Sequence, residues 1–146
     1  MDIFKIFYSN RNEEQSKSME KYMKNKFPFL GFKKPVRALL SKEFLKTKGK
    51  DTKVDWNFIF KCYEMPEREY QYLAIDYMEK VKKLFTLDDM ENIEKLLTTK
   101  SWWDSVDAIN KILGHVAMEY PEVKEDIILK WIESDNIWLN RISILF

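Results

Sequence analysis

Apolar residues recur at helical spacing along the whole chain, and no segment alternates strictly at period two for long. Three glycines and four prolines in 146 residues are too few for a loop-rich β-sandwich. The pattern predicts an all-α fold. Helices are expected near residues 2–8, 12–26, 34–48, 54–63, 66–83, 87–98, 102–119, 122–133 and 136–146. Their ends have local causes. Pro66 suits a first helical turn, with Glu67 and Glu69 behind it. Asp88 and Asp89 open one helix, and Pro121 and Glu122 open another. Ser134, Asp135 and Asn136 supply cap residues for the last.

The helices fall into pairs starting near 53, 87 and 121, a spacing of roughly 34 residues. The letters do not repeat, but the helix–turn–helix outline does. Period and content together suggest an α-solenoid of HEAT-like antiparallel helix pairs, an α–α superhelix forming a single domain over 1–146. Such an array offers a concave surface to a partner. Residues Arg141 to Phe146 form an apolar helical run without cap, glycine or polar tail, whereas a terminal repeat normally shows a polar outer face. The chain is therefore expected to be part of a longer array. The alternative is a short protein whose last helix docks into a groove.

Composition excludes several kinds of chemistry. The single cysteine, Cys62, allows no internal disulfide and no cysteine-based zinc site, and it reads as a small buried apolar residue. The single histidine, His115, leaves no His-rich metal site and reads as structural. No glycine-rich phosphate loop exists. No metal or organic cofactor is expected. No stretch approaches the length of a membrane span, and the N-terminus lacks the basic start of a signal peptide. The expected setting is reducing and cytoplasmic, with no membrane partner and a monomeric working form.

Net charge is +1, but its distribution is uneven. Residues 17–48 carry net +8, residues 1–16 net −1 and residues 49–146 net −6. A basic block joined to an acidic remainder suggests a nucleic-acid face, while a solvated Lys-rich helix pair explains it equally well.

The densest chemistry lies in Lys100-Ser101-Trp102-Trp103-Asp104-Ser105-Val106-Asp107. On a helix at about 100° per residue, Trp102, Val106, Ile109, Leu113 and Val116 share an apolar stripe. Trp103, Asp107, Asn110 and Gly114 share another, about 100° away. Trp102 is then core, and Trp103 meets Asp107 one turn on. An aromatic and a carboxylate off the core face, with Gly114 allowing close approach, make a ligand surface. Alternatively Trp103 packs on a neighbouring helix and Asp107 is a solvated acid. Asp104 reads as a hydrogen-bonding or helix-start acid. Phe27, Phe29, Leu30 and Phe32 read as a turn packed into the core.

Four stretches resemble the DNA alkylation repair enzymes of the AlkD type, alkylpurine DNA glycosylases built from HEAT-like repeats. They are Lys21 to Asn25 with Phe27 to Gly31, Pro66 to Gln71, Lys100 to Asp107, and Trp131 to Arg141. The resemblance spans essentially the whole chain, and family members run on for several more helices. It implies hydrolysis of the N-glycosidic bond of N3- or N7-alkylated purines in duplex DNA. It implies that Asp107, the second acid of the Trp-Trp-Asp-x-x-Asp motif, is the catalytic carboxylate. It places Trp103 beside the lesion's sugar, Arg141 in the same cleft and Tyr22 facing the DNA. The lysine block then joins the DNA face, with Lys24, Lys33 and Lys34 as candidate phosphate contacts. Double-stranded DNA carrying alkylated purines is the implied partner. A non-catalytic HEAT-like scaffold binding DNA or protein is the competing function, since fold alone does not choose between them.

Overall fold

The computed structural model describes residues 2–145. All its regular structure among those residues is helical, as the apolar periodicity predicts. Two compact units divide the chain, the first ending at Lys80 and the second beginning at Val81. Each is a succession of packed helices, and the chain is all-α of the solenoid class.

In the first unit, α1 (Ile3–Ser9) packs on α3 (Lys34–Lys48), and α3 and α4 (Trp56–Glu64) each pack on α5 (Arg68–Lys80). The start of α1 is fixed by Asp2, whose carboxylate accepts the N–H groups of Phe4 and Lys5. Aromatic rings fill the core. Tyr70 stacks on Phe4, and Phe58 meets Tyr77 edge-on. Cys62 is fully buried there, as expected, and burial pushes its thiol pKa far up.

The second expected helix is shorter than its pattern suggested. It runs only over α2 (Glu13–Tyr22), because Lys24 and Asn25 turn into the left-handed region at φ 54° and 57°. Asn25 N–H closes the end on Glu20 C=O at 2.7 Å. The following turn packs Phe29, Leu30 and Phe32 into the core as expected, whereas Phe27 is only half-buried, with the Arg68 guanidinium over its ring. Gly31 sits in that turn at φ 110°, and a Cβ there would lie 2.0 Å from the Asn12 carbonyl oxygen, so only glycine fits.

This turn is held by a first-turn acid that has a second role. The helix starts at Arg68, so Pro66 and Glu67 precede it, while Glu69 lies in its first turn as the sequence predicts. The Glu69 carboxylate is completely buried. It accepts the N–H groups of Leu30 at 2.7 Å, Gly31 at 2.8 Å and Phe32 at 3.3 Å. Burial outweighs these bonds and raises the Glu69 pKa.

The second unit contains α6 (Met90–Leu97), α7 (Trp103–Glu119), α8 (Glu122–Asp126) and α9 (Ile137–Leu145). Thr86 and Asp89 form a capping box just ahead of α6. The expected helix 122–133 begins as α8 and then widens into a π-helical turn over Ile127–Trp131. Val106, Ile109, Leu113 and Val116 form the predicted apolar stripe of α7 and are all buried. At about 1.5–3 kcal/mol for each fully buried large side chain, this stripe fixes the roll of α7. Asn136 caps α9 by accepting from Trp138 and Leu139 N–H groups.

Candidate functional site

The roll of α7 decides which side chains face outward. Trp103 is the first residue of the helix and is 49% exposed. Asp107 follows one turn later on the same side. Arg141 comes from α9, 34 residues further along the sequence. Its Nε donates to Asp107 Oδ1 at 3.1 Å and its Nη2 donates to Oδ2 at 3.3 Å. The guanidinium lies over the Trp103 ring, 4.3 Å from its centroid. Thus Asp107, Arg141 and Trp103, singled out together, do meet.

Trp102 is not the core residue its spacing suggested. It precedes α7 in extended backbone at φ −158°, so it leaves the helical stripe and only its carbonyl joins the helix, accepting from Val106 at 3.0 Å. Its ring is half-buried in a cluster of three tryptophans. Trp138 is the centre of that cluster, 5.0 Å from Trp103 and 5.9 Å from Trp102 between ring centroids. Sequence reasoning gave Trp138 no role. The available signal was its spacing, since a residue three before Arg141 shares that residue's helix face.

A shallow groove of about 260 Å³ runs beside this trio, lined by Trp103, Trp138, Asn140, Arg141 and Ile144. The Asp107 and Arg141 side chains are 45% and 37% exposed, so the pair is half in water. Such a pair adds at most about 1 kcal/mol of stability. Its consequence is geometric, because a two-pronged contact fixes the plane of the carboxylate. The two guanidinium bonds leave about half the carboxylate's lone-pair sites for other donors. Asp104 accepts from Ser105 N–H at 2.8 Å in the first turn, consistent with a helix-start acid. His115 is half-buried, with its Nδ1 shielded and unbonded among the described residues. No three His, Cys, Asp or Glu side chains form a metal-binding group among the described residues.

The remaining candidates lie in the first unit. Tyr22 ends α2 and is 87% exposed. Lys24 is exposed on the left-handed turn that follows, and Lys33 and Lys34 are exposed at the start of α3. No ion pair engages these three lysines among the described residues. The basic block is not uniformly free, however. Arg37 is paired with Asp76 at 2.8 Å. Lys48 reaches Asp51 at 3.0 Å and also contacts Asp55. Those two cations serve the fold.

No helix among the described residues is long and apolar enough to cross a membrane. The sequence matches a family model described as DNA alkylation repair enzyme over residues 3–146. A solved structure, "Predicted DNA alkylation repair enzyme from Enterococcus faecalis", is similar with 32% identity and a TM-score of 0.83. The similarity covers 92% of this chain but 63% of that one. No curated protein matches. With the family match running through both units and over the Trp103–Asp107–Arg141 constellation, the chain belongs to the DNA alkylation repair enzyme family.

Proposed function

We propose that the protein is an alkylpurine DNA glycosylase, hydrolysing the N-glycosidic bond of N3- or N7-alkylated purines in duplex DNA. The observation that carries this reading is the Asp107 carboxylate, held in a fixed plane by Arg141 beside the half-exposed Trp103. An alkylated purine carries a positive charge and departs with the electron pair of its bond to C1′. The sugar left behind is oxocarbenium-like. Asp107 stabilises that cation electrostatically and positions a water that adds to C1′, accepting its proton. Trp103 attracts the cationic lesion or sugar through its ring, and Tyr22 faces the DNA. Lys24, Lys33 and Lys34 contact phosphates and position the duplex without reading its sequence.

The test is release of free base from duplex DNA containing N7-methylguanine, by the parent chain and by Asp107→Asn. Release by the parent and its loss in the variant, at unchanged folding and DNA binding, supports the reading. Parental rates from a well-folded Asp107→Asn overturn the assignment of the carboxylate. Duplex binding without release by either form favours the scaffold alternative.

A further inference from the structure

The outward face of α7 does not stop at Asp107. On a helix at about 100° per residue, Lys111 lies about 40° from Asp107, Gly114 about 20° and Met118 about 20°. Lys111 is exposed, Gly114 is half-buried and Met118 is 82% exposed, so the strip reaches the surface at both ends and partly at Gly114. Gly114 has no internal reason to be glycine. It lies inside a regular helix and is absent from the positive-φ residues. No other side chain or neighbouring backbone lies within 4 Å of where its Cβ would be. Both usual structural uses of a mid-helix glycine, special dihedral angles and close packing, are absent. Yet glycine there weakens the helix relative to alanine by about 1 kcal/mol.

We infer that the Lys111–Gly114 strip of α7 is the seat of a DNA strand flanking the reacting nucleotide, with Lys111 contacting a phosphate and Gly114 letting the sugar–phosphate backbone approach closely. Asp107 and Gly114 are about 10 Å apart along the helix axis, a length of about three base-pair rises. A strand with its sugar at Asp107 can therefore reach Gly114 within a few nucleotides. Lys111 supplies the cation that such a track needs beside Asp107. DNA as the occupant rests on the reading of this protein as a DNA-repair enzyme.

The experiment measures the Kd of the 146-residue chain for a duplex across a salt series, for parent, Lys111→Gln, Gly114→Ala and Gly114→Leu, with Tm for each. Gly114→Ala should raise Tm by about 3 °C through helix propensity. Gly114→Leu should keep at least the parental Tm, because the space is open and leucine also favours a helix, and should weaken DNA binding about tenfold. Lys111→Gln should reduce the slope of log K against log salt by about 0.9, the signature of one lost phosphate contact. An unchanged slope for Lys111→Gln, or unchanged affinity for a folded Gly114→Leu, overturns the inference. A parent chain that does not bind duplex DNA overturns instead the DNA-repair reading beneath it.

Discussion

Replacing Glu69 with alanine should loosen the turn that joins the two candidate DNA-contacting segments of the first unit. The carboxylate accepts three buried N–H groups, from Leu30, Gly31 and Phe32. Alanine leaves all three without an acceptor, and each orphaned buried donor costs about 1–3 kcal/mol. The low end alone gives about 3 kcal/mol, a large share of a typical total stability of about 5–15 kcal/mol. For a chain of this length it corresponds to a fall in Tm of about 10 °C. The pH dependence has a definite sign. Burial raises the Glu69 pKa above 4.5 in the folded state. As pH rises from 4.5 through that raised value, the unfolded chain gives up the proton first, so the parent loses stability. Alanine has no proton to lose, so its deficit is largest below pH 4.5 and narrows above it. Urea denaturation of parent and variant at several pH values measures this difference directly. A deficit under about 1 kcal/mol would show that the three N–H groups find other partners. A deficit that widens with pH above 4.5 would show that the backbone bonds outweigh the cost of burying the charge.

Three further outcomes follow from the same structure. Gly31→Ala should destabilise by about 3 kcal/mol or more, read as Tm, because its Cβ would meet the Asn12 carbonyl at 2.0 Å and its φ is 110°. A double-mutant cycle on Asp107→Asn and Arg141→Met should return a stability coupling of about 0.2–1 kcal/mol, since the pair is half exposed. A much larger coupling would mean that the pair is part of the fold's support. Cys62 is fully buried with its pKa raised, so a thiol reagent should label it only in denaturant, and rapid labelling of the native chain would contradict that placement.

Legibility in the sequence divided along the range of the interactions. The apolar stripe of α7, the Asn136 cap and the buried turn at Phe29, Leu30 and Phe32 are set by neighbours within a few residues, and all were readable. The Trp103–Asp107 relation was readable for the same reason. Its pairing with Arg141 was not read from spacing. The family resemblance placed Arg141 only in the same cleft, because contacts 34 residues apart leave no periodic trace. The second role of Glu69 was hidden for a related cause. Its first-turn position has a sufficient local explanation, which conceals its bonds to a turn 37 to 39 residues upstream. The early end of α2 was missed because Lys24 and Asn25 fit a helical pattern until the turn beyond them must reach the core. Trp102 was misplaced by a single residue, since a helix starting at Trp103 removes Trp102 from the wheel altogether.

The proposed reaction contains a conflict that the Asp107–Arg141 pair would resolve. The proposed reaction needs negative charge at the sugar, yet its substrate is a polyanion. A lone carboxylate about 7 Å from one phosphate would repel it by about 0.6 kcal/mol in water and about 2.4 kcal/mol at an effective dielectric of 20. Several phosphates would sum to a substantial loss of affinity. With the guanidinium nitrogens at 3.1 and 3.3 Å, the pair presents a dipole to a distant phosphate and a negative oxygen edge to an atom in close contact. Distance thus separates the two demands, because the dipole's field dies away faster than the charge's. Placing Arg141 over Trp103 reinforces this arrangement, since the ring holds the cation on one side of the carboxylate. In the proposed reaction the same geometry would let a site with one acid sit on an open face. Proton donation to the leaving base is unnecessary when that base departs as a neutral molecule, so no enclosed pocket with a second carboxyl is required. What the open face must supply is orientation, and that comes from a planar two-pronged contact between helices α7 and α9.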